Sequence, residues 1–88
     1  MSWEIRLSKE AVKELKRLPR DRRERLSEAI EEMAEDLLSG DVRAIKAGKF
    51  KGALRKRVGR YRIIFALNPE AKTVEIAAIL LRSEKTYR

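Results

Sequence analysis

Nine lysines and arginines, and no acidic residue, lie between Arg43 and Arg62. These are the side chains that hold phosphate oxygens, arginine through a planar fork and lysine as a point charge. Lys49, Lys51, Arg57 and Arg60 read as charges that position a phosphate backbone. Arg55, Arg57 and Arg62 fall on one face if their segments are strands, because residues two apart share a side. A guanidinium stays protonated in proteins, so Arg55 can steady an oxyanion but makes a poor base. A lysine crowded by arginines has its charged form disfavoured, which makes proton abstraction by an amine conceivable. Histidine is absent, which removes the commonest general base and metal ligand. Cysteine is absent too, excluding disulfides and thiolate metal sites. No metal and no cofactor is expected.

The net charge of +8 is unevenly spread. Residues 1–42 carry nine Lys/Arg against eleven Asp/Glu, whereas residues 43–88 carry thirteen against three. A one-sided positive field attracts polyanions or an acidic partner. A basic face that merely keeps the protein soluble would have its charges more evenly interspersed.

Something must hold these groups on one surface, and the hydrophobic pattern supplies it. Trp3, Ile5 and Leu7 alternate with Glu4 and Arg6, the period of a strand with one buried face. Ser8 is placed to cap a helix over about 9–18, with Ala11, Val12, Leu15 and Leu18 on one stripe. Pro19 and Arg20 interrupt it. Asp21 is placed to cap a second helix reaching about Leu38 through Leu26, Ile30, Met33 and Leu37, and Gly40 ends it. Residues 41–52 read as an irregular loop with Gly48 and Gly52 as flexible points. Three strands follow, at 54–58, 61–67 and 73–81, with turns at Gly59–Arg60 and Asn68–Pro69. Their short separations make an antiparallel meander, and the β-branched and aromatic 61–67 strand belongs at the centre. The order β-α-α-β-β-β makes an α+β fold: a small antiparallel-type sheet with an N-terminal helical hairpin on one face. Arg55, Arg57 and Arg62 then lie on the other face. Lys56 should turn toward the helices and reach the sheet margin with its amine.

The chain has 88 residues, room for one domain (1–88) and no deep enclosed site. Chemistry on an open face favours a polymeric substrate. No run approaches the roughly 20 apolar residues that span a bilayer, so the chain reads as cytoplasmic, with no membrane partner. Charged residues make up 41% of it, glutamine is absent and Asn68 is the lone asparagine. That composition fits a thermophilic source.

Three segments carry a family likeness: "AVKELKRLPRDRRERLSEAI", "LRKRVGRYRIIFAL" and the terminal "LRSEKTYR". Over nearly its whole length the sequence resembles the RelE/ParE toxin superfamily. The central segment is the most specific, with Arg55, Arg57, Val58, Gly59, Tyr61 and Arg62 matching the family's arginine-rich strand, Val-Gly turn and Tyr-Arg strand. The resemblance implies a toxin of a type II toxin–antitoxin system, held inactive by a cognate acidic antitoxin. RelE-like members are ribosome-dependent endoribonucleases that cut mRNA, whereas ParE-like members inhibit DNA gyrase without the catalytic set. On the RelE-like pattern Arg62 matches the phosphate-binding arginine, Arg82 the arginine near the leaving group, and Tyr87 the aromatic that contacts substrate. Lys85, in the same tail, joins the RNA-binding charges.

Cleavage by an RNA 2′-OH needs a proton removed, a phosphorane stabilised and a leaving oxygen protonated. RelE-like enzymes often carry lysines where this chain has Ala53 and Arg55. Lys49 and Lys51 lie just before that strand, and the base stays unassigned. Arg62 could instead pair with Glu75 across the sheet. A ParE-like gyrase inhibitor and a non-catalytic RNA-binding relative are the alternatives to an mRNA-cleaving toxin.

Overall fold

The computed structural model describes residues 3–81. Seven elements follow one another: β1 (Glu4–Leu7), α1 (Lys9–Arg17), α2 (Arg20–Glu35), β2 (Asp41–Ala44), β3 (Leu54–Val58), β4 (Tyr61–Asn68) and β5 (Thr73–Leu81). The strands form one sheet in the order β1-β5-β4-β3-β2, with β4 at its centre as its composition requires. The α+β architecture is the expected one. Among the described residues no helix is long and apolar enough to cross a membrane.

Four local expectations are corrected. Residues 41–44 are an edge strand, not a loop, paired antiparallel with β3 so that Asp41 faces Arg57 and Arg43 faces Arg55. The sheet is mixed, because β1 runs parallel to β5. The two findings are connected. Each short connection reverses the chain, and six connections separate β1 from β5, an even number. Without β2 there would be five, and β1 would pair antiparallel. Third, α2 is capped by Pro19 rather than Asp21, with no side-chain bond to the cap. Proline suits a helix start because its missing N–H costs no helical bond there. Asp21 instead sits in the first turn, where its carboxylate meets the positive end of the helix dipole. The helix also stops at Glu35, leaving Leu38 64% exposed.

Ser8 ties the first strand, the first helix and the last strand together. Its Oγ accepts from the Ala11 amide at 3.0 Å, capping α1, and donates to the Ala77 carbonyl at 2.7 Å. Ala77 is the extra residue of a bulge: Ile64 pairs with Ala78 while Phe65 pairs with Ile76. The hydroxyl thereby satisfies a carbonyl that a bulge takes out of the regular ladder.

Both helices cover one face of the sheet. Ala11, Leu26, Ile30 and Met33 close on Ile63, Phe65, Val74, Ile76 and Ile79, and Phe65 is 0% exposed. Tyr61, Ile63 and Phe65 are core residues, as expected of them. The opposite face is where the arginines go.

Candidate nucleic-acid interface

Strand parity sorts β3 cleanly. Leu54 and Val58 pack against the core, and Lys56 on the same side is only 4% exposed. Its ammonium escapes to the margin, where Nζ donates to Ser39 Oγ at 3.0 Å. A lysine can occupy such a site because its stem is apolar and its head needs only a polar edge. Arg55 and Arg57 therefore turn to the opposite face. On β4 the core takes Tyr61, Ile63 and Phe65, which puts Arg62 on that face with them.

Cross-strand pairing then builds two rows. One runs Asp41, Arg57, Arg62 and Leu80, and the next runs Arg43, Arg55, Ile64 and Ala78. Directly opposed residues have Cβ atoms about 4.5–5.5 Å apart, so Arg57 and Arg62 are immediate neighbours of like charge. The alternative partner for Arg62 falls elsewhere, since the register sets Glu75 opposite Ala66.

Asp41 is the residue that sequence reasoning missed. Its Oδ1 lies 3.7 Å from Arg55 Nη1 and 3.8 Å from Arg43 Nε, and its Oδ2 lies 3.8 Å from Arg57 Nε. One carboxylate thus faces three guanidiniums, at ion-pair rather than hydrogen-bond distance. Half-exposed pairs of this length contribute at most about 1 kcal/mol each, so Asp41 orders the arginines more than it stabilises the fold. The only sequence signal was the alternation of Asp41, Val42 and Arg43 around one apolar residue.

The arginines differ in depth. Arg55 is 14% exposed at its side chain and Arg57 34%. Arg55 Nη1 and Arg57 Nε are buried and make no hydrogen bond among the described residues. A buried donor without a hydrogen bond costs about 1–3 kcal/mol, a cost that the nearby Asp41 carboxylate offsets only in part. Arg62 is half-buried beside them, and it too has an interaction partner.

The remaining sequence candidates are placed differently. Lys49 and Lys51 sit on the 45–53 loop, Lys49 with its Nζ 5.6 Å from the Phe50 ring centre. Among the described residues neither is bonded to the arginine rows. Arg60 is exposed in the β3–β4 turn, beside Arg22 and Arg25 of α2. Arg82, Lys85 and Tyr87 lie outside the described residues. No group of Asp and Glu among the described residues is arranged to hold a metal ion.

Known proteins share this fold. Residues 5–86 match the family model for the ParE toxin of type II toxin–antitoxin systems, parDE. A chain of the archaeal RelE–RelB complex from Pyrococcus horikoshii is similar over 96% of this chain and 99% of its own, with 24% identity and a TM-score of 0.81. A chain of the RelB–RelE complex from Methanococcus jannaschii is 30% identical, covering 86% of this chain and 88% of its own, with a TM-score of 0.66. The isolated E. coli RelE toxin is 18% identical over 97% of this chain and 92% of its own, with a TM-score of 0.74, a likeness of fold. No curated protein matches significantly. A match over nearly the whole sequence, joined to the same helices-on-sheet architecture, places the chain in the RelE/ParE superfamily of type II toxin–antitoxin toxins.

Proposed function

We propose that this toxin cleaves mRNA on the ribosome by attack of a 2′-OH on the adjacent phosphate, and that an acidic antitoxin holds it in check. The observation that carries the reading is the convergence of Arg55, Arg57 and Arg62 on the face opposite the helices. As the 2′-oxygen bonds to phosphorus, the P–O5′ bond breaks and negative charge builds on the non-bridging oxygens. Fixed guanidiniums stabilise that charge without reorganising during the step. RNA supplies the nucleophile. The 2′-proton has to go to a group other than arginine, which stays protonated. Lys56 turns to the core face and donates to Ser39, so Lys49 and Lys51 carry the next amines in sequence. Arg82 is assigned to the departing 5′-oxygen, Tyr87 to the substrate base and Lys85 to RNA binding.

Primer extension on a translated message after induction tests the reading. The expected result is new 5′ ends within the coding region, suppressed when a cognate acidic antitoxin is co-expressed. An intact message accompanied by DNA-damage signalling would sink it and favour the second reading, gyrase inhibition. The match to a ParE family model keeps that reading open.

Asp41 has a distinct consequence. Its carboxylate competes with phosphate for Arg43, Arg55 and Arg57, so Asp41→Asn should bind RNA several-fold more tightly. Its affinity should also fall more steeply with salt, the slope of log K against log[salt] steepening by about 0.7 for one further phosphate engaged on a single strand. Weaker binding would mean that Asp41 matters only by holding the arginines in place.

A further inference from the structure

A second group of arginines lies around the corner from the sheet face. Arg22 and Arg25 on α2 and Arg60 in the β3–β4 turn line a cleft of about 230 Å³ floored by Tyr61. No acidic side chain lines it. Arg22 Nη1 donates to the Tyr61 hydroxyl at 3.3 Å, which fixes one wall. Arg25 lies over Gly59: a Cβ built there would stand 3.6 Å from its guanidinium carbon and both terminal nitrogens. Gly59 also has φ +58, so the turn needs glycine for its backbone, while a Cβ there would only touch the arginine at ordinary contact distance.

Pairing separates these arginines from others on the same helical surface. Arg17 and Arg20 are bonded to Glu14 and Glu24, whereas among the described residues neither Arg25 nor Arg60 has an ion pair. Two like-charged groups held beside a third, with no carboxylate lining the cleft although Glu28 and Glu32 share the neighbouring groove with Arg25, make the cleft itself a site of positive potential. The cleft is also continuous with the arginine face. Arg57 and Arg62 are the second cross-strand pair from the turn that carries Arg60, and Arg25 and Gly59 border a further groove that Arg57 shares.

We propose that this cleft binds a backbone phosphate of the RNA whose reacting phosphate lies on the sheet face, so that the strand bends around the β3–β4 turn. The inference rests on the RNA-cleaving reading above. A phosphate fits better than a carboxylate because its oxygens point in several directions and can engage more than one guanidinium.

The test is the salt dependence of binding of the full chain to a short labelled single-stranded RNA, between about 50 and 200 mM salt. In Arg22→Gln/Arg25→Gln the slope of log K against log[salt] should become shallower by about 0.7, the value for one fewer phosphate neutralised on a single strand. Arg22→Lys/Arg25→Lys should recover most of it, which separates charge from misfolding. Arg20→Gln/Arg23→Gln removes the same charge from the same helix outside the cleft and should change the slope by less than half as much. An unchanged slope, an equal change in that control, or a wild type that does not bind the RNA overturns the inference. So does a larger affinity loss toward a polyglutamate peptide than toward RNA, which would assign the cleft to a protein partner. Primer extension reads the cleavage reaction separately, so a slope that does not move leaves the proposed function standing.

Discussion

Arg62→Ala should lower ribosome-dependent cleavage by about 10²–10³-fold, the usual loss when one preorganised donor to a transition-state oxyanion is removed. The chain should stay folded. The side chain sits on the face opposite the core, and the residues that hold β4 in place are Ile63 and Phe65. The effect is large because Arg57 and Arg62 act as a pair across two strands. Removing one leaves a single fork where two can embrace one phosphate. Arg62→Lys should recover only part of the rate, because a point charge replaces the charge but not the bidentate geometry. The measurement is cleavage of a translated message with purified ribosomes, alongside circular dichroism. A folded Arg62→Ala protein that cuts at the parental rate would remove Arg62 from the chemistry.

The placement of Arg62 was legible because strand parity is local. Alternation within 54–58 and 61–67 assigns Arg55, Arg57 and Arg62 to one face and Lys56 to the other, and the register agrees. The 73–81 strand was legible too, bounded by a turn and rich in apolar residues. Its inner parity was not. The bulge at Ala77 shifts the alternation midway, and nothing in a run of small and apolar residues marks that point. The edge strand β2 left almost no signal. Four residues with one large apolar side chain cannot show a period, and the strand exists because β3 offers it a ladder. Missing β2 had two consequences. It hid the parallel pairing of β1, which depends on an even count of reversals, and it hid Asp41, whose meeting with Arg55 and Arg57 is a cross-strand fact. The cap of α2 was missed for a different reason: Asp is a good cap and stood two residues from a proline that did the work.

Phe65→Ala should cost about 3–5 kcal/mol, the range for emptying a fully packed aromatic site. Phe65 lies at the middle of the central strand, 0% exposed, between Leu54 on one side and Ile76 on the other. Ile76 is the residue that meets it beside the bulge, so this ring packs where the ladder is weakest. A domain of this size has roughly 4–13 kcal/mol to lose. With a urea slope of about 1 kcal/mol/M for a small protein, the midpoint should fall by about 3–5 M, or the variant should be unfolded at the outset. Phe65→Leu, which keeps most of the volume, should lose much less. A loss below about 1 kcal/mol would mean that β4 does not carry the core. The contrast with Arg62→Ala is the informative one, because the two positions are three residues apart on the same strand. Both variants should fail to cleave RNA. Only Phe65→Ala should fail by unfolding, since its side chain holds β4 against the helices while that of Arg62 lies on the opposite face. Denaturation curves and cleavage assays on the same two proteins therefore separate the strand's structural side from its chemical side.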